Sequence, residues 1–188
     1  MPNTTPEGWI ATVCKASQNK QELLQLYLHL KEINPKVILE IGMHQGYSIE
    51  AWDTLFDPDF IIGIESHPED LKYFPKGNYQ YIGLPSTNPD AFLQTKAVLG
   101  DKKVDFLFID GDHTYDVVKA DFLFYSKFVR PGGIVAFHDA SLRNNPGVEV
   151  YKLWKEIAGE YKNKMITAGS EESFGFKAKG TGTGIIWV

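Results

Sequence analysis

Short apolar, β-rich runs recur along the chain with helical patterns between them, and this alternation limits the fold more than any other feature. The runs are "KVILEI" (Lys36 to Ile41), "FIIGIE" (Phe60 to Glu65), "YQYIG" (Tyr79 to Gly83), "VDFLFID" (Val104 to Asp110), "GIVAFHD" (Gly133 to Asp139), "KMITA" (Lys164 to Ala168) and "GIIWV" (Gly184 to Val188). Between them, "KQELLQLYLHLKEI", "GYSIEAWDTLF", "PDAFLQTKAVL", "YDVVKADFLFYSKFV" and "VEVYKLWKEIAGEY" read as helices, and helical spacing places Phe122, Phe124, Tyr125 and Phe128 in a core or interface. Strands that are apolar throughout, rather than at alternate positions, are buried on both faces, as in a parallel sheet between two layers of helices. The fold expected is α/β: a Rossmann-like, doubly wound, seven-stranded sheet. After "KMITA", the segment "GSEESFGFKAKGTGTG" lacks a helical pattern and is rich in Gly and Ser, so it is read as a hairpin-like return that brings in the last strand antiparallel. No repeat, low-complexity tract or linker divides residues 1–188, which are read as one domain.

Composition narrows the function classes. A formal net charge of -5, with no Lys/Arg block, opposes nucleic-acid phosphates as partners. The single cysteine, Cys14, rules out a disulfide framework and a Cys-based zinc cluster, and it fits a reducing, cytoplasmic setting. No basic patch leads into an apolar run near the N-terminus, and no run of about 18 apolar residues occurs, so a soluble, unprocessed protein without a membrane partner is expected.

Ligands of an open parallel sheet bind at the carboxyl ends of its strands. Those ends read Glu40 to Gly46, Glu65 to His67, Gly83 to Ser86, Asp110 to His113, and His138 to Asp139. In "LEIGMHQGYS", Gly42 lets the backbone turn sharply and approach a ligand, and Gly46 opens a helix whose free N–H groups suit an acceptor-rich ligand. The G-x-x-x-G spacing is not the G-x-G-x-x-G of dinucleotide sites, which disfavours an NAD-dependent oxidoreductase. A glycine turn by itself can be only a tight connection. Glu65, ending the second strand, is placed to accept hydrogen bonds from both hydroxyls of a ribose, and with the Gly turn it marks a site for an adenosine-containing cofactor. Other polar residues have plain structural uses. Asp112 or Thr114 can cap the helix starting near Tyr115, His138 can be a satisfied buried histidine, His44 and His67 read as exposed loop residues, and Trp52 and Trp154 as helix-face packing.

"LEIGMHQGYS", "IGIESHPE", "IGLPS", "FLFIDGDHTY" and "PGGIVAFHD", in that order, resemble a class I S-adenosylmethionine-dependent methyltransferase. The likeness is greatest to the small metal-dependent O-methyltransferases of the catechol and caffeoyl-CoA type and to sugar and antibiotic-tailoring relatives. The resemblance implies that Glu40, Gly42, Gly46 and Ser48 form the methionine end of the cofactor site, that Glu65 holds the ribose, and that Gly83 to Ser86 borders the adenine. It places Asp110 toward cofactor and metal, and it makes Asp110, His138 and Asp139 ligands of a divalent cation such as Mg²⁺ or Mn²⁺. His113 stands where catechol-type relatives carry a lysine near the acceptor, and an imidazole of ordinary pKa about 6.5 can take a hydroxyl proton at neutral pH.

One departure from the catechol-type pattern is His138–Asp139 in place of Asp–Asn, since imidazole is a softer, uncharged ligand than Mg²⁺ prefers. The acceptor implied is a hydroxyl of a small molecule or sugar. Short loops leave the N-terminal twenty residues and "SLRNNPGVEV" to close the site, or a second subunit to complete it as a homo-oligomer. A methyltransferase fold kept only for binding is the alternative of another class.

Overall fold

The computed structural model describes residues 5–67, 71–75, 77–143, 145–168 and 181–188. Its sheet contains β1 (Val37–Ile41), β2 (Phe60–Ile64), β3 (Tyr79–Ile82), β4 (Val104–Ile109), β5 (Val129–Phe137), β6 (Lys162–Ile166) and β7 (Thr183–Trp187). Their order is β3-β2-β1-β4-β5-β7-β6. β1 to β5 pair in parallel, and β7 runs antiparallel to both β5 and β6. The mostly parallel, doubly wound sheet with an antiparallel last strand is therefore as expected from the sequence. The chain reverses direction across the sheet between β1 and β4, which makes the carboxyl ends of those two strands the natural ligand crevice.

Why the strands are apolar throughout is visible in their packing. Ile38, Phe106, Phe108, Ile134 and Ile185 pack beneath α1 (Pro6–Thr12), α2 (Lys20–Ile33) and α3 (Tyr47–Phe56). Leu39, Leu107, Ile109, Val135 and Ile186 face the opposite layer, formed by α4 (Pro89–Leu99), α5 (Tyr115–Tyr125) and α6 (Val150–Ile157). Alternate residues of β1, β2, β4, β5 and β7 thus enter two separate cores, whereas the edge strands β3 and β6 carry exposed polar residues, and each side chain fully buried in a core contributes roughly 1.5–3 kcal/mol.

Helix limits follow local chemistry. The Asn19 side chain accepts the Gln21 N–H at 2.9 Å to start α2, and Asn34 ends it in the left-handed conformation (φ 44°) just before Pro35. Asn88 caps α4 by accepting the Asp90 N–H, with Pro89 at its first position. α1, which the sequence pattern does not mark, has only seven residues, too few for periodicity to reveal. The pattern "YDVVKADFLFYSKFV" also overran its helix. A 3-10 turn at Ser126–Phe128 ends α5, and Val129 already pairs with Val104 in β5, four residues before the strand expected from Gly133. The helix read in "VEVYKLWKEIAGEY" is likewise shorter, α6 giving way to a 3-10 turn at Ala158–Glu160. Phe122 and Tyr125 are core residues, whereas Phe124 is largely exposed. The segment read as a hairpin-like return lies mostly outside the described residues. Among the described residues, no helix is long and apolar enough to cross a membrane.

At the amino end of the sheet, Asp105 has a structural task. Its Oδ2 accepts the backbone N–H of Lys36 and Val37, both at 2.8 Å, and its Oδ1 meets Arg130 Nε at 2.5 Å. One carboxylate thus ties together the starts of β1, β4 and β5, away from the crevice.

Candidate active site

Gly42 allows the crevice to form. It sits just past β1 with φ 82°, a conformation L side chains rarely adopt, and a Cβ there would overlap the Asp110 carbonyl and the Gly111 Cα. The ends of β1 and β4 can therefore touch, the Asp110 N–H donating to the Ile41 carbonyl at 2.9 Å. Two cavities, of about 440 and 360 Å³, open on either side of this junction, and Gly42, His44 and Asp110 line both.

The larger cavity runs along Glu65, Ser66, Pro85 and Ser86 to Asp112. Glu65 Oε2 accepts the His44 N–H at 2.8 Å, and Oε1 accepts the His67 N–H at 2.9 Å and the Ser66 hydroxyl at 3.4 Å, which fixes the carboxylate at the cavity wall with acceptor capacity left on Oε2 for a hydroxyl donor. Ser86 is held from behind, its carbonyl accepting the hydroxyl of buried Tyr125 at 2.7 Å. His44 and His67 are exposed. Asp112 Oδ1 accepts the N–H of Thr114 at 2.8 Å and its hydroxyl at 2.6 Å, a turn leading into α5. The Tyr115 N–H, the next free helix donor, goes to Glu149 at 3.2 Å.

The smaller cavity is lined by Gln18, Tyr47, Ser48, Asp110, His138 and Asp139, among others. Here the ends of β4 and β5 meet. His138 Nδ1 lies 3.1 Å from Asp110 Oδ1 and 3.1 Å from Asp139 Oδ1, while His113 Nε2 stands 3.3 Å from Asp110 Oδ1 and 3.5 Å from Asp139 Oδ2. Donor atoms of Asp110, His113 and His138 all fall within 4.8 Å of one another. Burial raises the cost of charging Asp110, but the positive His138 and the hydrogen bond from His113 outweigh it and hold the carboxyl below its ordinary range. Burial likewise opposes protonation of His138, and the two carboxylates overcome it and raise its pKa. The pKa of His113 is raised mainly by its hydrogen bond to Asp110, against burial.

Glu40 and Gly46 line neither cavity. Glu40 lies fully buried under the site, one oxygen taking the Ser48 hydroxyl and the other the indole N–H of Trp52 at 2.6 Å. Burial, offset in part by those two donors, raises its pKa to about 8. Gly46 starts α3 with φ 81°, against the backbone of Tyr73. Three further residues belong to the site's surroundings. Gln18 donates to Asp110 Oδ2 at 2.6 Å, and Lys15 and Ser17 line the smaller cavity beside it. The only hint in the sequence was that the N-terminal segment was free to cover the crevice.

The seven-strand order and a crevice of acids and histidines at the carboxyl edge define a methyltransferase-type α/β domain. Residues 39–140 match the family model described as "Methyltransferase domain", and the chain belongs to that family. Uncharacterized protein y4gI of Sinorhizobium fredii is 28% identical over 141 residues, 67% of this chain and 15% of that protein. Uncharacterized protein R132 of Acanthamoeba polyphaga mimivirus is 53% identical over 62 residues, 31% of this chain and 28% of that protein. The matched regions are thus minor parts of these curated relatives.

Among solved structures, the O-methyltransferase TomG from Streptomyces achromogenes, in complex with SAM, aligns at TM-score 0.64 and 19% identity over 94% of this chain and 82% of that one. An O-methyltransferase from Bacillus cereus in complex with SAH aligns at 0.63 and 18% over 100% and 93%. The MycE methyltransferase of the mycinamycin biosynthetic pathway, in complex with Mg, SAH and mycinamycin VI, aligns at 0.64 and 16% over 98% and 55%. At these identities the likeness is one of fold.

Proposed function

We propose that the chain is an S-adenosylmethionine-dependent O-methyltransferase, assisted by a divalent cation and acting on a hydroxyl of a small molecule or sugar. The observation that carries the reading is the junction of the two cavities at Gly42 and Asp110, with an acid positioned for a ribose on one side and a carboxylate–imidazole cluster on the other. In this reading Glu65 takes the ribose hydroxyls and Ser86 borders the adenine. Gly42 and Ser48 face the methionine end, with Glu40 and Gly46 acting from beneath. Solved structures of the same fold hold SAM or SAH, which supports the cofactor assignment.

The donor set fits a cation. Ligands about 2.1–2.3 Å from one ion and at right angles to each other stand roughly 3 Å apart, close to the 3.1 Å separations of His138 Nδ1 from Asp110 and Asp139. His138 Nδ1 and Asp139 Oδ1 are also buried and, at 3.1 Å from each other, are close without the alignment of a hydrogen bond. Asp110 and His138 would hold the ion with His113 or Asp139 as the further ligand, and imidazole beside carboxylate suits Mn²⁺ or another first-row transition ion better than Mg²⁺. Such an ion supplies a lowered pKa for the acceptor hydroxyl and a fixed place for its oxygen. S-adenosylmethionine would supply the methyl group, the acceptor oxygen bonding to its carbon as the carbon–sulfonium bond breaks and S-adenosylhomocysteine leaves, and the hydroxyl proton would pass to the His113 ring nitrogen that is not bonded to Asp110. The proximity of His113 to Asp110 and His138 favours a second role for it, as a further cation ligand. His113→Ala separates the two: a base variant loses turnover and keeps Mn²⁺ binding, a ligand variant loses both.

The single, buried Cys14 supports a cytoplasmic setting. The proposal is tested by transfer of labelled methyl from S-adenosylmethionine to a panel of phenolic and sugar hydroxyls with Mn²⁺ or Mg²⁺. Saturable cofactor binding without transfer to any acceptor would favour a binding module instead.

A further inference from the structure

We propose that Glu22 of α2 is a positioning residue for the carboxyl end of β5, holding Asp139 in the conformation in which it reaches the cation site; the inference rests on the metal-assisted reading above. Asp139 is one of four described non-glycine residues with positive φ (59°), a conformation that persists only where surrounding contacts over-determine it. Those contacts come from the chain entering β7. The Ala140 N–H donates to the Gly182 carbonyl at 2.8 Å, and the Ser141 N–H and hydroxyl donate to the Thr181 carbonyl at 3.1 and 2.8 Å. The approach is close, since a Cβ on Gly182 would overlap the Ser141 hydroxyl.

Glu22 anchors that segment in turn. Its Oε1 accepts the Gly182 N–H and the Ala168 N–H, both at 3.1 Å, so one carboxylate oxygen fixes the chain just past β6 and just before β7. A carboxylate at 1% exposure on the apolar face of α2, among Leu23, Leu26 and Leu30, is costly to place there. It lies near enough to His138 and Asp139 to feel both charges, and its Oε2 is buried without a partner, as is His138 Nε2. The connection runs from Glu22 through Gly182 to Ala140, next to Asp139. Outer contacts of this kind orient the groups that meet a metal.

The test uses the full-length protein and its Glu22→Ala, Glu22→Asp and Glu22→Gln variants, with amide hydrogen exchange and Mn²⁺ titration as readouts. Gln keeps an acceptor at the same reach. Asp is a methylene shorter and cannot hold both N–H groups. Exchange at Ala140, Ser141 and Gly182 is expected to accelerate at least about tenfold in the Ala and Asp variants. Their Mn²⁺ affinity is expected to fall about ten- to hundredfold. The Gln variant stays near wild type in both, and amides of the β1–β4 pair are unchanged in all three. Unchanged exchange at Ala140 and Ser141 in Glu22→Asp overturns the proposal, and that variant decides if Glu22→Ala does not fold. Absence of Mn²⁺ binding in the wild type would refute the metal reading by itself, leaving the amide exchange to decide the role of Glu22.

Discussion

The indole N–H of Trp52 donates to the carboxyl of Glu40 across 2.6 Å, within the fully buried layer under the crevice. Trp52 can only donate, so Glu40 must keep an oxygen free to accept, and the Ser48 hydroxyl can either donate to the other oxygen or accept from it. The neutral acid satisfies all three groups. Its ordinary pKa of 4.5 is raised to about 8 in the fold, chiefly by burial. Between those values the folded protein keeps a proton that the unfolded chain releases. This contribution to stability is therefore full below about pH 4.5 and is lost as pH rises toward about 8. Glu40→Gln, close in shape to the neutral acid, is expected to flatten that part of the stability–pH profile, which denaturant unfolding at several pH values measures. The difference from wild type near pH 8 should be on the order of a few kcal/mol.

Asp105 provides the contrasting case of an acid at the amino edge. Asp105→Ala leaves the Lys36 and Val37 N–H groups and the Arg130 guanidinium without their partner. Unfolding free energy should fall by about 2–4 kcal/mol, while cofactor affinity in the folded variant stays within about twofold, because the site lies at the other end of the strands. Chemical denaturation and ligand titration on one sample check both.

Gly42→Ala should damage site and fold together. The added methyl overlaps the Asp110 carbonyl, and φ 82° strains any L residue. A loss of at least about 2 kcal/mol in stability is expected, together with loss of S-adenosylmethionine binding, whereas Gly100→Ala, strained in φ but with open space around the new methyl, should cost only the backbone term.

Glu65→Ala removes a carboxylate that accepts two backbone N–H groups and, in the proposed complex, the ribose hydroxyls. Cofactor affinity should drop about ten- to hundredfold by calorimetry, as expected for hydrogen bonds to a charged group. An unchanged affinity would remove Glu65 from the cofactor site.

Legibility in the sequence followed sequence distance. The strands were readable because residues such as Phe106 and Leu107 enter opposite cores and so leave an unbroken apolar run. Once the sheet is parallel, its topology alone brings Gly42, Glu65, Asp110 and His138 to one edge. Gln18 and Glu22 were not readable, since their partners lie 92 residues away at Asp110 and 160 away at Gly182, and neither carries a local pattern. Trp52 was legible as packing but not as the donor to Glu40, since helical spacing reports which face is buried and nothing about an indole N–H. The start of β5 was missed because Val129 closes the helical pattern "YDVVKADFLFYSKFV", whereas in the fold Val129 opens the strand and Arg130 pairs with Asp105.

The crevice is expected to take both cofactor and cation. The direct measurement is calorimetric titration of the metal-stripped protein with S-adenosylmethionine and with NAD, repeated with Mn²⁺ and with Mg²⁺, on the wild type and on the Asp110→Ala/Asp139→Ala double variant. Saturable one-site binding of S-adenosylmethionine is expected, none of NAD, and Mn²⁺ binding tighter than Mg²⁺ that the double variant loses. Failure of S-adenosylmethionine to bind the folded wild type under all of these conditions would contradict the proposed function.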